Sequence, residues 1–142
     1  MPTTEYEGIA QDLTPPFEVT RPDEHLAPFV FCSPHSGRRY PRHFIAQSRL
    51  DPLTLRRSED CYVDELFQAA PALGAPLIAA RFPRAFLDVN REPYELDPSL
   101  FHDPLPEYAN AHSVRVTGGL GTIARIVADG EEIYREPLSL SN

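Results

Sequence analysis

Pro28-Phe29-Val30-Phe31-Cys32, followed at once by Ser33-Pro34-His35-Ser36-Gly37, decides how this chain reads. The first five residues form a short, continuous apolar run, the mark of a β-strand covered on both faces. The polar turn behind it sets a histidine just past the strand's carboxyl end, where open α/β sheets gather ligands and catalytic groups. Working outward, Ser58-Glu59-Asp60 opens a predicted helix. Ser58 suits the N-cap, and two acids in the first turn suit the positive end of the helix dipole. Val63, Leu66, Phe67 and Ala70 then follow at helical spacing up to a stop at Gly74. Residues 76–80, 85–89 and 122–127 read as further strands, and residues 131–135 as the start of a helix.

Strand, helical crossover, strand is an α/β order. An open α/β sheet needs helices on both faces and only one helix stands out, so the chain reads as part of such a fold. Residues 1–27 are polar and broken at Thr14-Pro15-Pro16 and Arg21-Pro22-Asp23. They read as an irregular lead-in, which leaves residues 28–142 as one domain. Residues 92–110 carry Pro93, Pro98, Pro104 and Pro106 with little periodicity. A loop of that length inside a compact domain is usually functional.

The chain has 142 residues, and all 13 of its basic positions are arginine. The absence of lysine excludes a Schiff-base lysine and the lysine of a phosphate-binding P-loop. Against these stand 21 acidic residues, for a net charge of -8. Such an acidic chain is a poor nucleic-acid binder, because that affinity comes largely from neutralising phosphates. No apolar run approaches the roughly 18 residues of a membrane span, and no signal peptide is visible, so a cytoplasmic protein is expected. Its 16 prolines are more than twice what average usage of about 5% would give, which predicts short elements and many loops. Cys32 and Cys61 make neither a disulfide framework nor a zinc-ribbon spacing, and read as small buried residues in a reducing compartment.

Histidine and carboxylate placement carries the chemistry. His35 from a strand end and Asp60 or Glu59 from a helix start would give two of the three protein ligands of a catalytic zinc site. The plainer reading makes His35 a hydrogen-bonding loop residue and the two acids favourable first-turn charges. Asp88-Val89-Asn90-Arg91 ends another predicted strand. Arg91 there is shaped to hold a substrate carboxylate through paired hydrogen bonds, or else it pins the loop by pairing with Asp88 or Glu95. Ser36 lies in no Gly-x-Ser-x-Gly elbow, and Gly118-Gly119-Leu120-Gly121 precedes a strand rather than a helix, the wrong context for a phosphate cradle.

These motifs together resemble the N-formylglutamate amidohydrolase family. The likeness runs through Ser33-Pro34-His35-Ser36-Gly37 with Tyr40-Pro41, and through Arg57-Ser58-Glu59-Asp60-Cys61-Tyr62-Val63-Asp64. It continues through Phe82-Pro83-Arg84-Ala85-Phe86-Leu87-Asp88-Val89-Asn90-Arg91, Glu95-Leu96-Asp97-Pro98 and Gly119-Leu120-Gly121-Thr122-Ile123. It implies the N-terminal half of a zinc-carboxypeptidase-like α/β fold, a mixed central sheet flanked by helices, and a zinc-dependent hydrolase. The implied reaction releases formate from N-formyl-L-glutamate, a last step of one histidine breakdown route. It further implies that His35 and Asp60, or Glu59 in its place, hold the metal. Arg91, Asn90 and Arg84 would then grip a small dicarboxylate substrate. A further histidine ligand and the general base are expected beyond residue 142. A non-catalytic anion-binding fragment, or a zinc amidase for another acylated amino acid, are the competing expectations. An N-terminal half also leaves sheet surface uncovered, from which self-association is expected.

Overall fold

The computed structural model describes residues 5–140. Its sheet has three short strands: β1 (Phe17–Thr20), β2 (Phe31–Ser33) and β3 (Leu77–Ala80), in the order β1-β3-β2. Strand β3 pairs antiparallel with β1 and parallel with β2, so the sheet is mixed, as expected. Among the described residues five helices accompany it: α1 (Glu5–Leu13), α2 (Arg42–Gln47), α3 (Pro52–Leu55), α4 (Val63–Leu66) and α5 (Val114–Thr117). Single 3-10 turns and isolated bridges make up much of the remainder. No helix among the described residues is long and apolar enough to cross a membrane.

Of the expected irregular lead-in, residues 1–4 lie outside the described residues, and residues 5–27 hold two regular elements. Part of that segment forms α1, and part forms β1, an edge strand of the sheet. Asp12 on α1 accepts hydrogen bonds from the backbone N–H and side chain of Arg42, the first residue of α2. Helix α2 has no side-chain cap of its own, and a carboxylate suits its positive end. Cys32 is exposed rather than buried, and so is Cys61. Strand β2 is thus covered on one face only.

Three further expectations change. The helix predicted from Ser58 shrinks to the four residues of α4, and Ser58 closes a 3-10 turn instead of capping. Tyr62, at φ 62°, breaks the path ahead of α4, while Gly74, at φ 83°, does mark the end of the following turn. Residues 85–89 form no strand; the N–H groups of Phe86 and Leu87 turn back onto the Pro83 carbonyl. Residues 122–127 and 131–135 form no strand and no helix, and meet through an isolated bridge between Ile126 and Glu132.

The core lies beside the sheet. Phe44 on α2 packs with Leu55, Ala85, Ala124, Val127 and Ile133. Its ring meets Phe86 at 5.5 Å and Tyr134 at 6.0 Å, both edge-on. The loop-rich C-terminal third thus wraps onto α2 and α3, and the predicted site falls between this core and the sheet.

Candidate active site

Strand β2 ends at Ser33, and the turn Pro34-His35-Ser36-Gly37 leaves it under tight control. The Ser33 and Ser36 hydroxyls share a hydrogen bond of 2.6 Å. At Gly37 the backbone presses on the chain leaving β3, so that a Cβ there would lie 2.1 Å from the Phe82 carbonyl oxygen. The Arg39 N–H donates to the Arg81 carbonyl at 2.8 Å and locks the same junction. These contacts fix the turn that carries His35 against Arg81-Phe82, where the chain leaves β3.

His35 and Asp88 face each other almost out of solvent, their side chains 8% and 4% exposed. Nε2 of His35 lies 2.8 Å from Asp88 Oδ1. An ionised carboxylate only accepts, so Nε2 carries the proton of this bond. On the ring's other side, Nδ1 lies 3.3 Å from Asp60 Oδ2. The Asp60 N–H also donates to the His35 carbonyl at 3.0 Å, which ties the two side chains together through the backbone.

Asp88 is the hub, a role sequence reasoning gave it only as a partner for Arg91. It accepts from the Asn90 N–H at 2.9 Å and from Arg84 Nη2 at 2.8 Å. Arg91 Nη2 stands 3.2 Å from Oδ2, the oxygen that Arg84 also meets. Burial alone would raise the Asp88 carboxyl; the hydrogen bonds from His35, Asn90 and Arg84 outweigh it and hold it below its usual value. The readable signal was an acid written at the end of an apolar run.

The other candidates fall into place around this hub. Arg84 reaches towards Asp60 as well, with Nη1 3.9 Å from Oδ1. The Arg91 side chain is largely shielded and gives its donors to the protein, Nε to the Leu120 carbonyl and Nη1 to the Asn90 carbonyl. It therefore pins the loop through Asp88, as its plainer reading had it, yet one residue away from His35. Asn90 is exposed. Glu59 turns away from the histidine. Its side chain is 1% exposed and closes on Arg56, with Nε at 3.1 and 3.2 Å from its two oxygens. The Tyr40 hydroxyl donates to it at 2.7 Å. Burial and this bond to Glu59 push the Tyr40 phenol far up. Of the two acids, only Asp60 meets His35.

The donor chemistry fits one half of a metal centre. A neutral imidazole flanked by two carboxylates donates to only one of them. With Nε2 committed to Asp88, Nδ1 presents a lone pair to Asp60, and a second ring proton or a shared cation satisfies both. Two donors each about 2.1 Å from a tetrahedral zinc stand about 3.4 Å apart, close to the observed 3.3 Å. A carboxylate on the far ring nitrogen is the usual support of a metal-bound histidine. Among the described residues no group of three or more histidine, cysteine, aspartate or glutamate side chains is placed to hold a metal ion. His102 and His112 are exposed.

A family model for N-formylglutamate amidohydrolase matches residues 27–142. This chain belongs to the N-formylglutamate amidohydrolase family. A solved relative, the N-formylglutamate amidohydrolase from Ralstonia eutropha JMP134, is 36% identical and superposes with a TM-score of 0.79. The match covers 89% of this chain and 44% of that one, so this chain spans less than half the length of its solved amidohydrolase relative. No curated protein matches.

Proposed function

We propose that this chain supplies the metal- and substrate-binding half of an N-formylglutamate amidohydrolase, which hydrolyses the formyl amide of N-formyl-L-glutamate to formate and L-glutamate. The observation that carries the reading is the His35 ring held between Asp88 on Nε2 and Asp60 on Nδ1. Family membership supports the reaction, and the half-centre supports metal dependence. Within this reading the fold is the amino-terminal part of a zinc-carboxypeptidase-like sheet, and the setting is histidine breakdown in the cytoplasm.

His35 and Asp60 are the residues that would hold zinc. The chemistry zinc supplies in such a site is acidification of water towards a pKa of about 7 and polarisation of the scissile carbonyl. Asp88 fixes the ring orientation and keeps the lone pair of Nδ1 pointing at the centre. Arg84, which is partly exposed and borders Asp60, offers its remaining donors to a substrate carboxylate. The exposed Asn90 side chain, two residues after Asp88, offers a second polar contact. Arg91 keeps Asp88 and the loop in place, and its charge adds to a positive field for a dianionic substrate.

Metal content and formate release, measured side by side on this chain and on a form carrying the remainder of the family fold, test the reading. The longer form is expected to bind zinc and release formate, and His35→Ala to lose both. Formate release that survives complete chelation, or survives His35→Ala, would overturn it. A catalytically silent anion-binding module is the second reading, favoured by the pair of donors standing alone among the described residues. It predicts glutamate binding without turnover in either form.

A further inference from the structure

Two segments of the chain meet at the candidate site, and they meet twice. One runs from His35 to Pro41, the other from Arg56 to Asp60. At the outer end the Asp60 N–H donates to the His35 carbonyl at 3.0 Å, and Asp60 Oδ2 stands 3.3 Å from His35 Nδ1. At the inner end the Tyr40 hydroxyl donates to Glu59 Oε1 at 2.7 Å.

The inner contact is anchored in the core. Tyr40 packs against the buried cluster, with its ring 6.2 Å from that of Phe44. Leu55, directly before Arg56, is a fully buried member of the same cluster. The outer contact has no such anchor. The Asp60 side chain is half exposed, and its other charged neighbour, Arg84, lies 3.9 Å away.

Backbone geometry couples the two ends. Glu59 is extended, at φ −69° and ψ 139°, and successive side chains on extended backbone leave on opposite sides. With Glu59 directed inward, Asp60 is directed outward, to the histidine. Both carboxylate oxygens hold Glu59 in that direction. Oε1 accepts from Arg56 Nε at 3.1 Å in addition to Tyr40, and Oε2 accepts from Arg56 Nη2 at 3.2 Å and from the Cys61 thiol at 3.5 Å. The Glu59 N–H donates to the Arg56 carbonyl at 3.0 Å and closes the turn. A shielded ion pair adds little net stability, because desolvation offsets most of its attraction. What this one does supply is a fixed direction for the residue next to it.

We propose that Glu59 is a positioning residue: clamped by Tyr40 and Arg56, it sets the side on which Asp60 emerges and holds Asp60 at ligand distance from His35. The inference rests on the reading of His35 and Asp60 as metal ligands, and it gives Glu59 no place on the metal itself. Outer partners of this kind are worth about 10–100-fold in metal affinity.

The test uses the full 142-residue chain with zinc ion alone as the probe, titrated at constant pH and followed by nuclear magnetic resonance on the Asp60 amide and the His35 ring. Glu59→Gln keeps the size of the side chain but turns one acceptor into a donor facing Arg56. With native circular dichroism retained, it is expected to weaken zinc binding about 10–100-fold. Tyr40→Phe removes only the inner contact and decides the matter if Glu59→Gln does not fold; about fivefold weaker binding is expected. Val116→Ala on α5, which loosens buried packing outside both segments, is the control for a general loss of stability and should keep the parent affinity. Parent affinity in the folded Glu59 or Tyr40 variant, or an equal loss in Val116→Ala, overturns the inference. A parent chain that binds no zinc overturns the metal reading instead. Crystal structures of the metal-free parent and Glu59→Gln then decide the inference: Asp60 turned away from His35 in the variant supports it, and an unchanged spacing of 3.3 Å overturns it.

Discussion

Phe44 and Phe17 are both aromatic residues on regular elements, yet one is 1% exposed and the other 51%. The difference separates two regions. Around Phe44 the loop-rich C-terminal third closes a core from residues far apart in sequence, including Leu55, Val127 and Ile133. Around Phe17 a regular sheet, the element that looks most like a fold on paper, keeps one apolar face open. Regularity and self-sufficiency are thus divided in this molecule. The buried hydrophobic cluster lies in the irregular region, while the sheet positions the turn that carries the site.

The largest expected effect tests that division. Phe44→Ala should lose about 3–5 kcal/mol in denaturant unfolding, and Phe17→Ala less than about 0.5 kcal/mol. Equal losses would break the comparison. Gly37→Ala comes next, since its Cβ would collide with the Phe82 carbonyl at the joint between sheet and core. It should cost about 1–3 kcal/mol, and stability within error of the parent would show that the joint yields.

Asp97 sharpens the comparison through pH. Burial would raise its carboxyl, but hydrogen bonds from Ser99 and Arg125 hold it below its usual value. A carboxyl lowered in the folded state stabilises above its unfolded pKa of about 3.9, and that contribution fades as pH falls through the folded value. Asp97→Asn should therefore cost about 1–2 kcal/mol at neutral pH and progressively less in acid. A constant difference from about pH 7 to about pH 3 would count against the pairing with Arg125. Smallest is Tyr40→Phe, which removes the bond to Glu59 at the boundary between core and site. About 1 kcal/mol should be lost, together with some order of the Asp60 turn, readable as faster hydrogen exchange at the Asp60 amide.

How much of this was legible depended on whether local pattern or tertiary contact decided the outcome. The apolar runs at residues 28–32 and 76–80 announced β2 and β3, because their side chains favour strand by themselves, although β2 is covered on one face only. Strand β1 was hidden behind Thr14-Pro15-Pro16, and its place came from pairing with β3, far along the chain. Residues 85–89 had the composition of a strand, but Asp88 is drawn to His35, Arg84 and Arg91, and the backbone turns to deliver it. The helix expected from Ser58 failed for a related reason. Asp60 gives its N–H to the His35 carbonyl, and Tyr62 takes a left-handed conformation ahead of α4. Of the candidate site, His35 and Asp60 were named from sequence and stand together, whereas Glu59 and Arg91 were named for their residue type and serve the scaffold.

The bond between His35 and Asp88 also has a spectroscopic side. Its proton sits on Nε2, between two side chains nearly sealed from solvent and 2.8 Å from a carboxylate oxygen. A proton so placed exchanges slowly and resonates well downfield of the amide envelope, in a window that few other protons of a 142-residue chain can enter. One resonance would then follow the centre through every addition of metal or substrate, without a label and without turnover.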